Sequence, residues 1–205
     1  MKLILVDFDG VIVNTFEIAY KIIAELNPNP PTKEEYRGFF DGNIYKALEE
    51  SPDIEEKITV SEDDPFFKRF APRILEQPPV EGIKEALNEL AARYPMVIIS
   101  STVNGPIRNY LEKYDLAHYF KKIYGADVHA SKTKKIRMIL EEFDAKPEEC
   151  VLITDTLGDI DEAARVDVRS VAVTWGYQRQ DTLIKGNPAA IIEQPNELAM
   201  TLNKI

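Results

Sequence analysis

Leu3-Ile4-Leu5-Val6-Asp7-Phe8-Asp9-Gly10 opens with four apolar residues and ends in two carboxylates one residue apart. An unbroken Val/Ile/Leu run without polar alternation suits a strand buried on both faces, as in a parallel sheet. Residues i and i+2 of a strand point the same way, so Asp7 and Asp9 can converge on one site. Gly10 lets the chain turn sharply after them. Working outward, Met96-Val97-Ile98-Ile99, Val151-Leu152-Ile153 and Val171-Ala172-Val173 repeat the apolar signature. Helical periods lie between these runs. Ile83, Ala86, Leu87, Leu90 and Ala91 form one stripe, Ile107, Tyr110, Leu111 and Tyr114 a second, and Ile136, Ile139, Leu140 and Phe143 a third. Strands alternating with such helices predict an α/β fold with a doubly wound parallel sheet.

The interval from residue 15 to 80 breaks this rhythm. A helix is expected from Phe16 to Leu26, before the break Asn27-Pro28-Asn29-Pro30-Pro31. Thr32 is placed as an N-cap with Glu35 at the capping-box position. Further helices are expected around Ile44 to Glu50 and Pro65 to Leu75, and Pro78-Pro79 punctuates the return. Nothing here alternates as strands do, so 15–80 reads as an inserted all-helical subdomain, with 1–14 and 81–205 forming the core.

Four segments carry chemistry, each at a strand end, where open α/β folds bind ligands. Besides Asp7 and Asp9 there is Ser100-Ser101-Thr102, whose hydroxyls and backbone N–H groups suit phosphate oxygens. Its bland alternative is a helix N-cap. Lys132, Lys134 and Lys135 crowd the first turn of a helix capped by Ser131, against the macrodipole's preference. Lys132 is read as functional, because the other segments need a cation, and Lys134 and Lys135 as a solvated charge run. Asp155-Thr156-Leu157-Gly158-Asp159 adds two more acids. Four carboxylates brought together need neutralising. Oxygen ligands without His or Cys point to a hard cation, of which magnesium keeps several waters beside one or two carboxylates and a phosphate oxygen.

In this order the segments resemble the four motifs of the haloacid dehalogenase-like (HAD) superfamily: Asp7-Phe8-Asp9-Gly10-Val11, Ser100, Lys132, and Asp155 with Asp159. The resemblance spans nearly the whole chain, with 15–80 similar to that superfamily's helical cap. Val173-Thr174-Trp175-Gly176-Tyr177 is similar to phosphoglycolate phosphatase-like and pyrophosphatase-like members. The resemblance implies a Rossmann-like core of five strands, with the first strand central and the fourth-motif strand beside it. It implies a magnesium-dependent phosphatase acting on a small phosphorylated metabolite through an aspartyl phosphate on Asp7. Asp9 would serve as acid and then base, its carbonyl meeting the metal. Ser100 and Ser101 would hold the phosphoryl group, Lys132 would balance its charge, and Asp7, Asp9, Asp155 and Asp159 would form the Mg²⁺ site. Dehalogenating members lack the second Asp of the first motif, so Asp9 argues for phosphoryl transfer. Thr154, Thr133 and Asn14 depart from the glycine, proline and aspartate frequent in relatives.

A phosphomutase of the same superfamily is the rival chemistry, and a non-enzymatic phospho-acceptor akin to a receiver domain is the rival class. Receiver domains pair acids on the first strand but phosphorylate a later Asp, unlike the pattern here. A net charge of -10 argues against nucleic acid, which needs clustered cations. No run approaches the length of a membrane span. The opening apolar run is too short for a signal peptide, so a cytoplasmic protein is expected, monomeric or a homodimer. Cys150, the single cysteine, is read as a small buried residue. His118 is expected to close a helix, and His129 is left outside the site. Trp175, Gly176 and Tyr177 are expected to pack beyond the strand end, with loops there as an alternative border of the pocket. Arg37 and Lys46 stand near glycines that suit a loop over the site, but exposed helix-face charges are an equal alternative and both are left off the site.

Overall fold

The computed structural model describes residues 1–42 and 60–205. The expected helix around Ile44 to Glu50, with Lys46, lies outside the described residues. Six parallel strands form one sheet: β1 (Leu3–Val6), β2 (Met96–Ile99), β3 (Phe120–Tyr124), β4 (Cys150–Thr154), β5 (Arg169–Val173) and β6 (Ala190–Ile192). Their spatial order is β3-β2-β1-β4-β5-β6. β1 lies inside the sheet, pairing Leu5 with Val97 on one side and with Leu152 on the other. All four β1 residues are buried, as an unbroken apolar run requires. Cys150 is also buried, at the start of β4.

The sheet has six strands where five were expected. β3 reads Phe-Lys-Lys-Ile-Tyr with both lysines exposed, and β6 has three residues. Both are edge strands, which have one neighbour and need no continuous apolar run. His118 sits in a short 3₁₀ helix, Ala117–Tyr119, which leads into β3.

Among the described residues, helices α1 (Phe16–Leu26), α2 (Lys33–Gly38) and α3 (Pro65–Ile74) follow β1. Thr32 caps α2 through the expected reciprocal box, its hydroxyl accepting from Glu35 N while Glu35 accepts from Thr32 N. Asp64 accepts from Phe66 N, and Pro65 occupies the first turn of α3, where its missing N–H costs nothing. The buried faces of these helices, with Phe16, Ile22, Phe67 and Phe70, join one apolar core with Ile4, Val6 and Ile98 of the sheet. Crossover helices complete the layers: α4 (Ile83–Ala91), α5 (Asn104–Lys113), α6 (Lys132–Glu142) and α7 (Leu157–Ala164), with the short helices α8 (Gln180–Leu183) and α9 (Leu198–Leu202) near the C-terminus. Among the described residues no helix is long and apolar enough to cross a membrane.

Candidate active site

The register of β1 between β2 and β4 brings the ends of three strands together, and the sequence places an acid or hydroxyl at each. Asp7 follows β1 directly, and its Oδ1 accepts from Phe8 N at 2.7 Å. Lys132, at the first position of α6, reaches into the same space. Its Nζ donates to Asp7 Oδ2 at 2.6 Å and to Asp159 Oδ2 at 2.5 Å. Ser131 caps this helix as expected, accepting from Lys134 N. Asp159, in the first turn of α7, also accepts from the Thr154 hydroxyl at 2.7 Å. All three charged side chains are buried. A buried ion pair persists only where geometry and extra hydrogen bonds replace lost water, as they do here.

Asp9 faces a ring of hydroxyls. Thr15 donates to its Oδ1 at 2.7 Å, and Thr102 and Ser100 donate to its Oδ2 at 2.7 and 3.3 Å. Ser100 Oγ in turn accepts from Thr102 N at 2.9 Å, which folds the turn after β2 around its own hydroxyl. Burial raises the Asp9 carboxyl above its ordinary range, against the opposing pull of the hydroxyls of Thr15, Thr102 and Ser100. Ser101 lines the cavity above the acids without joining this ring.

Asp155 occupies the tightest position. Its Oδ2 accepts from Tyr177 N at 2.7 Å, while its buried Oδ1 has no hydrogen-bond partner. A Cβ on Gly10 or on Gly176 would overlap this carboxylate, so two glycines cradle it. At Gly10 the backbone also has φ of 74°, which L side chains rarely adopt. Burial pushes the Asp155 carboxyl up to about 7; the Tyr177 N–H opposes this and Asp159 adds to it. Burial likewise presses Asp159 upward, but the Lys132 ammonium and its hydrogen-bond partners overrule this and hold it down to about 2. Asp7 is raised, by burial first, with Lys132 only partly offsetting it. Burial is the largest cause for all three; Lys132 offsets it only in part at Asp7 and Asp155, and outweighs it together with the hydrogen bonds at Asp159.

A divalent cation fits that imbalance. Among the described residues no group of three or more His, Cys, Asp or Glu side chains is placed to hold a metal ion by itself. The donor set that fits is an open one, with Asp7 and the orphaned Oδ1 of Asp155 leaving room for water and phosphate oxygens.

The structure brings Asp7, Asp9, Ser100, Lys132, Asp155 and Asp159 to one place and adds residues that the sequence reading did not place there. Thr15 links Asp9 to Tyr177, whose hydroxyl lies 2.9 Å from the Thr15 hydroxyl. Tyr177 is thus more than packing beyond a strand end, since its N–H orients Asp155. Lys135 corrects the reading of a solvated charge run. It is fully buried, and its Nζ donates to the Ser100 carbonyl at 2.5 Å. Lys134 is exposed, as expected. Arg37 is no free helix-face charge either, since its guanidinium lies over the Phe16 ring at 3.9 Å and donates to the Tyr177 carbonyl. His129 accepts from Ser131 N at 2.9 Å, beside the cap of α6.

The family model of haloacid dehalogenase-like hydrolases matches residues 4–173. The chain belongs to that family. A solved haloacid dehalogenase-like hydrolase from Streptococcus pneumoniae superposes on this one with a TM-score of 0.78 and 25% identity, covering 98% of each chain. Among curated relatives, a phosphoglycolate phosphatase of Vibrio parahaemolyticus is 24% identical over 97% of this hydrolase and 94% of its own length. The pyrophosphatase PpaX of Listeria welshimeri is 26% identical over 95% and 93%.

Proposed function

We propose that this hydrolase is a phosphatase that removes the phosphoryl group of a small phosphomonoester through an aspartyl phosphate on Asp7. The observation that carries the reading is the charge pattern of the site. Asp7, Asp9, Asp155 and Asp159 line the cavity with Lys132 as the one cation among the described lining residues, and an Asp155 oxygen has no hydrogen-bond partner. The names of the curated relatives support phosphoryl chemistry.

Asp7, Asp155 and the Asp9 carbonyl would hold magnesium, with Asp159 behind them. Bound there, magnesium would offset the negative charge of the phosphoryl oxygens. Asp7 attacks phosphorus in line with the leaving oxygen, and Asp9 supplies the proton that oxygen needs. A raised proton affinity on Asp9 suits this task, and the ring of Thr15, Thr102 and Ser100 fixes its direction. Asp9 then takes a proton from the water that attacks the acyl phosphate, which releases phosphate and restores the Asp7 carboxylate. A carboxylate nucleophile thus divides one difficult displacement into two. Ser100 and Ser101 would hold phosphoryl oxygens, and Lys132 would follow the charge as it moves off Asp7.

Residues 15–80 act in this reading as a cap that excludes water and selects the leaving group. The Phe40 carbonyl accepts from Gly158 N at 3.0 Å, and Gln178 bridges Asp41 to Leu157 N, so the segment after α2 is seated against the start of α7.

The test is release of inorganic phosphate from 4-nitrophenyl phosphate with magnesium or with EDTA, in the native chain and in Asp7→Asn. Magnesium-dependent release that Asp7→Asn abolishes while remaining folded is the expected result. Turnover that survives that substitution, or that ignores EDTA, would contradict the assignment. Glucose 1-phosphate isomerised without free phosphate would mark a mutase instead.

A further inference from the structure

Above the acids lies a cavity of about 500 Å³, a size that holds a small ligand. Its floor is polar: Asp7, Asp9, Thr102, Lys132, Asp155 and Asp159 line it. Its upper wall is different in kind. Ile23, Tyr36, Phe40, Phe66, Phe67 and Phe70 line it, drawn from α1 to α3 and the turn after α2. The rings brace one another, with centroids 5.2 Å apart for Phe66–Phe70 and for Phe66–Phe67, and 4.8 Å apart for Phe40–Tyr177. Phe39 also faces the cavity and stays 50% exposed, an apolar surface that water meets unless a ligand covers it.

Charge narrows the choice further. Among the described lining residues Lys132 is the one cation, and Asp7 and Asp159 already hold it. Asp64 adds an acid at the side of the upper cavity. Arg37 is turned away, with its guanidinium on Phe16 and the Tyr177 carbonyl. A leaving group carrying its own carboxylate or phosphate would enter an apolar chamber facing Asp64, with no described cation to receive it. Burying such a charge unpaired is costly. An uncharged ring or alkyl chain would instead gain the full benefit of apolar contact.

Building on the phosphatase reading, we infer that the preferred substrates are phosphate monoesters of an uncharged, apolar alcohol, aromatic before short aliphatic. The single negatively charged group of such an ester goes to the polar floor, and its hydrocarbon part packs among the rings. A hydrophobic pocket discriminates by about 10- to 200-fold for a single missing methylene, so a whole ring should give at least about tenfold.

The experiment compares kcat/KM for benzyl phosphate, ethyl phosphate and phosphoglycolate, three primary alkyl esters, and for pyrophosphate, using the full chain with magnesium. Benzyl phosphate should exceed ethyl phosphate and phosphoglycolate by about tenfold or more. In Phe40→Ala and Phe66→Ala the benzyl-to-ethyl ratio should fall by about threefold or more within each variant. Phosphoglycolate or pyrophosphate turned over as well as benzyl phosphate would overturn this inference and leave the phosphatase reading standing. A ratio unchanged in both variants would also overturn it. If no ester on the panel and no 4-nitrophenyl phosphate is hydrolysed, the phosphatase reading itself fails and takes the inference with it.

Discussion

Replacing Lys135 with Met should change how stability depends on pH. Lys135 is fully buried; burial first, and then the ammonium of Lys132, pull its proton affinity from the ordinary 10.5 down to about 7. In the unfolded chain the same amine titrates near 10.4. Between those values the unfolded state binds more protons than the folded one, so stability rises with pH through that window. Below about pH 7 both states carry the charge, and the cost of burying it is fully present. One proton corresponds to about 1.4 kcal/mol per pH unit. With the amine half protonated at the start of the window, Lys135 should add on the order of 2 kcal/mol between about pH 7 and 9. Met fills nearly the same volume and does not titrate. Urea unfolding of both proteins across that range, in EDTA so that no metal contributes, measures the effect. The native chain should gain on the variant by on the order of 2 kcal/mol as pH rises. Parallel stability curves would refute the reasoning, because they would mean that the amine has the same proton affinity in both states.

Gly10→Ala should destabilise the fold by about 1–3 kcal/mol and abolish phosphate release, since it strains a positive φ and drives a methyl into Asp155; thermal melting and turnover measure the two effects. Lys132→Met should remove turnover and cost about 3–5 kcal/mol by leaving Asp7 and Asp159 without their cation. Lys134→Ala, on the exposed side of the same turn, should change turnover by less than about twofold and stability by less than about 0.5 kcal/mol. Ile98→Ala, deep in β2, should cost about 2–5 kcal/mol in chemical unfolding without changing turnover in the fraction that remains folded.

The interior of the sheet was open to reading because β1, β2, β4 and β5 are covered on both faces and carry nearly unbroken apolar residues. β3 and β6 escaped for the converse reason: an edge strand can hold Lys121 and Lys122 in the open, or shrink to Ala190–Ile192. The acids and Lys132 were legible because their residue types and order are hard to explain otherwise. Lys135 was missed although a signal existed. With Lys132, Ile136 and Ile139 it keeps the i, i+3, i+4, i+7 stripe that α6 buries, and the charge obscured the periodicity. Thr15 left no such trace, and Tyr177 stood out only as part of the stretch 173–177. Their meeting on Asp9 and Asp155 depends on how loops after different strands fold over the sheet, which local spacing does not encode.

The strand order has a consequence for how the molecule is made. β1 precedes the other strands of the sheet in the chain, yet its two neighbours begin at Met96 and Cys150. Until Cys150 has been synthesised, the strand that leads into Asp7 has first no partner and then only one. Contacts of such sequence separation form slowly, because a long loop must close before any pairing rewards it. The hydrolase should therefore assemble the site at the end of β1 late, and nascent chains shorter than about residue 155 should expose this apolar strand to cellular chaperones.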